Sequence, residues 1–173
     1  MRGIEWCIQQ KSKARGSETQ IINLSLGGSY SEASNEIANR AFQSGMLVVV
    51  AAGNSYTDAC EISPASAQQA LTIGATDQND KLASFSNYGN CVKLFAPGVQ
   101  CNYASASGYG FTTGSGTSFA SPLVAGVAAS YLSENRSLTA SALHQLMISR
   151  SKLNAVKSLP QGTPNRFVNP LCQ

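Results

Sequence analysis

The chain has 173 residues, a net charge of +3 and a hydrophobic content of 43%, enough for one modest domain with its own core. Charged residues make up only 12% of the sequence, about half of the roughly 25% usual for soluble domains. No apolar run approaches the ~18 residues needed to cross a membrane. The one basic cluster, KSKAR at residues 11–15, is interpreted as an exposed loop after a helix. We therefore expect no nucleic-acid partner, no membrane partner and a monomer.

The first residues, MRGIEWCIQQKSKARG, have no apolar stretch of the kind found in signal peptides. Ile4 and Ile8 stand four residues apart, which predicts one face of an amphipathic helix. Because the chain starts within such an element, we expect the natural N-terminus to lie further upstream.

Apolar runs and helical patterns then alternate. Residues 20–28 (QIINLSLGG) and 46–55 (MLVVVAAGNS) are typical of buried strands, and 70–75 and 92–98 predict two more. Residues 31–45 have helical spacing, with Gly45 as the C-terminal cap. This alternation predicts an α/β fold with a parallel sheet whose sites lie at the carboxyl ends of the strands.

Two helices are predicted in the last third of the chain. The first, at 118–132, has an interior of Ala, Gly and Val and contains Pro122, which we expect within its first turn. The second, at 138–149, is amphipathic and opens at Thr139. Ser118 follows a glycine-rich turn, so from its local sequence it is either a helix cap or a nucleophile.

Asn54 favours the second interpretation of Ser118. It follows Gly53 at the end of a buried strand, where its amide could donate a hydrogen bond to an oxyanion. The free N–H groups at the start of the 118–132 helix could stabilise the same charge. Alternatively, Asn54 only forms a turn, which its local sequence AAGNS does not exclude.

Five cysteines are present, and none of them forms a CxxC pair: Cys7, Cys60, Cys91, Cys101 and Cys172. With a single histidine, His144, this pattern argues against a zinc site. The odd count leaves at least one thiol unpaired within the chain, and scattered cysteines fit an oxidising compartment.

The motifs INLSLGG, VVVAAGNS, SPAS, TIGATD, FSNYG, FAPG, GTSFASP and TPNRF occur in this order. Together they resemble the subtilisin-like serine peptidases (peptidase S8), in particular the proteinase K-like branch, over residues 3–167. The resemblance implies a three-layer subtilisin-like α/β fold with a mostly parallel sheet and its N-terminal part missing. It also implies a serine endopeptidase, a hydrolase that acts on polypeptide substrates through an acyl-enzyme.

Roles for individual residues follow from this resemblance. Ser118 would be the nucleophile, and Asn54 would form the oxyanion hole together with the backbone N–H of Ser118. The implied substrate-binding residues are Ser25, Leu26, Gly27 and Gly28 on one wall, Ala51, Ala52 and Gly53 on the opposite wall, and Thr117 beside the nucleophile.

The chain lacks the aspartate and the histidine that the family's catalytic triad places before the serine. The family order is Asp, His, Ser, but every aspartate (Asp58, Asp77 and Asp80) comes after Asn54, and His144 follows the serine in an ordinary helical context. We therefore interpret residues 1–173 as a partial catalytic domain that is inactive by itself. The alternatives are a pseudo-protease that binds extended peptides in its groove, and a decayed fragment that does not fold.

Further expectations come from the same resemblance. It implies a disulfide between Cys60 and Cys91, and secretion to the extracellular space. Lys93 stands where relatives place a calcium-binding carboxylate, so we expect the calcium site to be lost and no cofactor or metal to be bound. Two glycosylation sequons are present. Asn23 lies inside a predicted strand, so we expect its sequon to be unused, whereas Asn135 follows a predicted helix and is the plausible acceptor.

Overall fold

The computed structural model describes residues 2–13 and 18–170. Residues 46–114 of this part form strands and a 3₁₀ turn, and α-helices lie before and after them. The helices are α1 (Arg2–Lys13), α2 (Glu32–Gln43), α3 (Thr117–Glu134) and α4 (Ala140–Ser149). The strands are β1 (Gln20–Leu24), β2 (Gly28–Ser29), β3 (Met46–Ala51), β4 (Ile62–Ser63), β5 (Leu71–Thr76), β6 (Leu94–Pro97), β7 (Cys101–Ala104), β8 (Phe111–Gly114), β9 (Lys152–Leu153) and β10 (Arg166–Phe167).

The central sheet has six strands in the order β1-β3-β5-β6-β10-β9. Neighbouring strands are parallel from β1 to β10, and only the pairing of β10 with β9 is antiparallel. Two small antiparallel sheets, β2 with β4 and β7 with β8, stand beside it. The predicted α/β fold with a mostly parallel sheet is confirmed.

Helices cover both faces of the sheet, which gives three layers. Strand β3 is fully buried and divides its side chains between the two faces: Met46, Val48 and Val50 face one core, and Leu47 and Val49 face the other. The first core is closed by residues of α1 and α2. The second is closed by residues of α3 and α4. A strand buried on both faces explains the continuous apolar run in the sequence.

The predicted amphipathic helix at the N-terminal end is present as α1. Ile4 and Ile8 of α1 pack against the first core, as their spacing predicts. The basic cluster differs, because Lys11 and Lys13 belong to α1 itself rather than to a loop, and residues 14–17 lie outside the described part. Among the described residues, no helix is both long enough and apolar enough to cross a membrane.

The hairpin formed by β7 and β8 was not predicted. Its side chains are largely exposed, including Tyr103, Tyr109 and Phe111, so it lacks the apolar pattern that marks a buried strand. Tyr103 contacts the body of the protein through the ring of Phe119, at a centroid distance of 5.1 Å. Backbone pairing between two adjacent segments holds the hairpin together.

The disulfide between Cys60 and Cys91 is present, with a Cα–Cα distance of 5.3 Å. It joins the 3₁₀ turn at Ala59–Glu61 to the segment just before β6. Cys7 and Cys101 are free within the described residues, and Cys172 lies outside them.

Reducing this disulfide should destabilise the fold. Its two cysteines are 31 residues apart, and closing a loop of that length contributes about 3–4 kcal/mol in the chain-entropy model. We expect a lower urea midpoint for the Cys60→Ala/Cys91→Ala variant, measured by circular dichroism. Cys101→Ser, which removes a free thiol, is the control and should leave the midpoint nearly unchanged. An unchanged midpoint in the double variant would contradict the expectation.

The packing of His144 on α4 should make stability depend on pH. Its ring lies 5.7 Å from that of Phe42, and its Nε2 is buried with no hydrogen-bond partner among the described residues. Burial lowers the pKa of His144, and the charge of Lys93 lowers it further. The unfolded chain, with a His pKa of about 6.5, therefore binds more protons below that pH, so the free energy of unfolding should fall as the pH falls.

We expect the urea midpoint to decrease between about pH 7.5 and about pH 5.5, and His144→Leu to flatten this decrease. Backbone N–H groups of Lys81 and Asn79 lower the pKa of Asp77, so its titration lies below this window. Equal slopes in the parent chain and in the His144→Leu variant would show that another group controls the acid response.

Candidate active site

The site lies where the carboxyl ends of β1 and β3 meet the start of α3. Gly116 is the N-cap residue of α3 and contributes no side-chain capping bond, so Ser118 is not a helix cap. A cleft of about 360 Å³ opens here. Its lining includes the predicted residues Leu26, Gly27, Gly28, Ala51, Gly53, Asn54, Thr117 and Ser118.

Thr117 fixes the orientation of Asn54. The Thr117 backbone N–H and hydroxyl donate to Asn54 Oδ1 at 2.8 Å and 2.9 Å. The same hydroxyl accepts the Gly53 N–H at 3.1 Å. Thr117 is completely buried, and its side chain joins the end of β3 to α3. With Oδ1 occupied, the Asn54 amide nitrogen is the group left free to donate.

The Ser118 backbone N–H is also free. It lies in the first turn of α3, where N–H groups have no intrahelical partner, and no carbonyl of the described residues accepts it. The Ser118 hydroxyl is only partly buried and donates to the Ser25 carbonyl at 3.3 Å. The cleft therefore presents a hydroxyl, a backbone N–H and a carboxamide close together.

Ser25 contributes to the site in an unpredicted way. Pro122 lies in the second turn of α3, since the helix begins at Thr117, and not in the first turn as predicted. A proline there cannot donate to the carbonyl four residues back, which is that of Ser118. The Ser25 hydroxyl donates to that carbonyl instead, at 2.9 Å.

Ser25 is itself held by two further side chains. The Asn23 amide donates to the Ser25 hydroxyl at 3.0 Å, and the hydroxyl of the buried Ser121 donates to Asn23 Oδ1 at 2.6 Å. These hydrogen bonds connect Ser121 to Asn23, Asn23 to Ser25, and Ser25 to Ser118. Helix α3 is therefore joined to the end of β1 both at the nucleophile candidate and at Ser121.

Asn87 is a residue of the site for which the sequence predicts no role. It is fully buried. Its Oδ1 accepts the backbone N–H groups of Ser55 and Thr57, and its amide donates to the Ala52 carbonyl. Gly53 has φ +104°, and a Cβ there would overlap the Asn87 side chain. The motif FSNYG contains Asn87, but no local pattern shows which loop it supports.

Of the predicted wall residues, Ala52 and Ser25 do not line the cleft, and neither does the single histidine, for which no catalytic role is predicted. Ala52 is completely buried in the first core and does not line the cleft. His144 contacts Phe42, before the start of β3, whereas Asn54 follows the other end of that six-residue strand. A strand of this length spans about 20 Å, so His144 cannot accept a proton from Ser118.

No group of three His, Cys, Asp or Glu side chains within residues 2–13 and 18–170 is arranged to hold a metal ion. The Lys93 ammonium donates to the Asn90 carbonyl at 3.2 Å. An ammonium offers no lone pair to a hard cation, so this position does not fit the calcium ligand expected of relatives.

Replacing Ser25 should test the role of its hydroxyl. Ser25→Ala leaves the Ser118 carbonyl without a donor, which should lower the free energy of unfolding by about 1–3 kcal/mol. In a Pro122→Ala background the new N–H at position 122 can donate to that carbonyl, so the same change should cost less. A double-mutant cycle by urea unfolding measures this coupling.

The exposed Ser130 on the same helix provides the control, since Ser130→Ala should cost the same in both backgrounds. Equal costs of Ser25→Ala in the two backgrounds would contradict the assignment.

Comparison with known proteins agrees with this geometry. Residues 2–168 match the Subtilase family, Peptidase_S8. The chain is 42% identical to alkaline serine exoprotease A of Vibrio alginolyticus over 169 residues, which cover 98% of this chain and 30% of that protein. It is 38% identical to the subtilisin-like serine protease Pen c 2 of Penicillium citrinum over 186 residues, which cover 95% of this chain and 40% of that protein.

A solved cold-adapted subtilisin-like serine proteinase superposes with a TM-score of 0.91 at 44% identity, covering 99% of this chain and 60% of that one. The chain thus spans 30% and 40% of the two curated relatives. The matched family, the relatives and the shared fold agree, and the chain belongs to the subtilase family of serine endopeptidases.

Proposed function

We propose that residues 1–173 are part of a subtilisin-like catalytic domain that cleaves peptide bonds through an acyl-enzyme on Ser118. The observation that carries this proposal is the grouping of the Ser118 hydroxyl, the free Ser118 N–H and the oriented Asn54 amide at one cleft. In acyl transfer the hydroxyl attacks the carbonyl carbon. The two donors then stabilise the negative oxygen of the tetrahedral intermediate.

The Asn54 amide contributes because its position is fixed before the reaction. Thr117 holds the Asn54 carbonyl oxygen through two bonds, so little reorganisation is needed as the oxyanion forms. Removing such a donor lowers kcat by about 10²–10³, a value measured in a subtilisin.

The reaction also requires a base, which the described residues do not bring to Ser118. His144, the single histidine, lies at the opposite end of β3 from the cleft. Loss of the triad histidine costs about 2 × 10⁶ in kcat in subtilisin. An oxyanion hole and binding alone leave about 10³–10⁴ over water. We therefore propose that activity depends on an aspartate and a histidine from outside these residues.

Extended polypeptides are the proposed substrates. Leu26 is 62% exposed, and the segment from Ser25 to Gly28 offers backbone groups along the cleft for antiparallel pairing. A second cavity of about 590 Å³ has apolar side chains of α1, β1 and α2 in its lining and shares residues 26–29 with the cleft. The two cavities together favour a peptide that continues past Ser118 with an apolar side chain in the second cavity.

Secretion is part of the same proposal. The Vibrio relative is named an exoprotease, and a Thermus relative is named an extracellular serine proteinase. The Cys60–Cys91 disulfide is of the kind that persists in oxidising compartments.

A second candidate function is binding of peptides without cleavage. Two features favour it. The cleft has residues on both of its walls, and the Ser118 hydroxyl is bonded to the Ser25 carbonyl and not to a base. A decayed chain that does not fold would instead give no cooperative thermal transition by circular dichroism.

A chimaera tests the proposed function. The chain covers 60% of the cold-adapted proteinase. In the chimaera it is joined to the remaining 40% of that protein. Casein hydrolysis is then measured. We expect the chimaera to be active, Ser118→Ala to abolish hydrolysis, and Asn54→Ala to lower kcat by about 10²–10³. The chain alone should show no measurable hydrolysis.

Ser130→Ala, on the same helix but exposed, is the matched control and should retain full activity. Hydrolysis by the Ser118→Ala chimaera would refute the nucleophile assignment. A folded but inactive chimaera that binds peptides would instead support the binding function.

A further inference from the structure

We propose that Asn135 is an N-glycosylation site, with the sequon Asn135-Arg136-Ser137 as its recognition sequence. Asn135 is the C-cap residue of α3, and all three sequon residues are exposed. The Arg136 side chain is 79% exposed and makes an ion pair with Glu18 at 3.9 Å. A glycan at this position would displace no packed side chain.

The sequon residues have the geometry that favours transfer to an amide nitrogen. Asn135 Oδ1 accepts the Ser137 hydroxyl at 2.6 Å and the Ser137 backbone N–H at 3.1 Å. No hydrogen bond within the described residues involves the Asn135 amide nitrogen. Donation to the carbonyl oxygen makes the side-chain N–H more acidic, which helps the proton loss that transfer requires, and the nitrogen stays accessible.

The second sequon has the opposite surroundings. Asn23 lies in β1, paired with β3, and both ends of its carboxamide are bonded: Oδ1 accepts Ser121 and the amide donates to Ser25. Glycosylating Asn23 would break the bonds that hold Ser25 against Ser118. These bonds support the expectation from the sequence that the Asn23 sequon is unused and the Asn135 sequon is available.

The position of Asn135 also keeps a glycan away from the cleft. Helix α3 has 18 residues, and a helix of this length spans about 27 Å. Ser118 is at its first turn and Asn135 follows its last. A glycan would therefore stand at the far end of the helix from the nucleophile candidate and leave peptide access unchanged.

The transfer step uses an oligosaccharide linked to a lipid through pyrophosphate as the donor. The Asn135 amide nitrogen attacks the anomeric carbon of the first sugar and forms the N–C bond. The bond from that carbon to the pyrophosphate oxygen breaks, and the lipid pyrophosphate leaves with the electron pair. The amide nitrogen loses one proton to a base of the transferase. The inference rests on the proposed secretion and does not depend on the catalytic role of Ser118.

The test is secretion of the chain from a yeast host, followed by peptide-N-glycosidase treatment and peptide mass mapping. We expect the glycosidase to lower the mass of the secreted protein and to convert Asn135 to Asp. Asn135→Gln and Ser137→Ala should both abolish the mass change, and Ser137→Thr, which keeps the sequon, should retain it. Asn23→Gln serves as the matched control and should leave the glycan in place.

Circular dichroism on each secreted variant confirms that it is folded. A folded, secreted chain without a glycosidase-sensitive mass would refute the proposal, as would a mass change that persists in Asn135→Gln. A glycan mapped to Asn23 would refute the selection between the two sequons. None of these readouts depends on cleavage of peptide bonds by this chain. Failure of the glycosylation proposal is therefore distinguishable from failure of the proposed peptidase function.

Discussion

The geometry of the site depends on the junction between the start of α3 and the ends of β1 and β3. On the β3 side, Thr117 binds both Gly53 and Asn54. On the β1 side, Ser25 binds the Ser118 carbonyl. Because α3 packs against the sheet through the second core, these bonds set the direction of the Ser118 side chain relative to two strands at once.

This junction relies on neutral hydrogen bonds and close packing. The ion pair found among the described residues, Arg136 with Glu18, is exposed and contributes little to stability. The low charged content, 12%, is consistent with such a construction. Small residues on α3, such as Ala120 and Ala128, are completely buried, which lets the helix backbone approach the strands closely.

Much of the fold was predictable because its signals are local. The buried runs of β3 and β5 and the helical spacing in α2 and α4 each lie within one segment, and each element formed within a few residues of its predicted bounds. Features that depend on distant partners were not predictable from local patterns. The Ser25 hydroxyl donates to the Ser118 carbonyl, which the N–H of a residue other than proline at position 122 would otherwise bind. Ser25 and Ser118 are 93 residues apart, so no periodic pattern in the sequence indicates this bond.

Some residues of the candidate site were likewise predictable from the sequence, and others were not. Ser118 and Asn54 were recognisable from motifs, but the bonds by which the buried Thr117 orients Asn54 were not. Ala52 was expected on the cleft wall and belongs to the core, because alternate residues at the end of a strand point to opposite faces. The family resemblance identifies which segments form the site, whereas the direction of each side chain follows from strand alternation and helix phase.

The oxyanion donors and the base are physically separable parts of such a site. The two donors are positioned by α3, β1 and β3, all within the described residues, and their alignment needs no histidine. A nucleophilic hydroxyl, in contrast, gains its reactivity only when a base accepts its proton. The Ser118 hydroxyl here donates to the Ser25 carbonyl, which cannot take the proton. Under the proposed function, charge stabilisation would come from this part of the fold, and a base from outside the described residues would accept the proton.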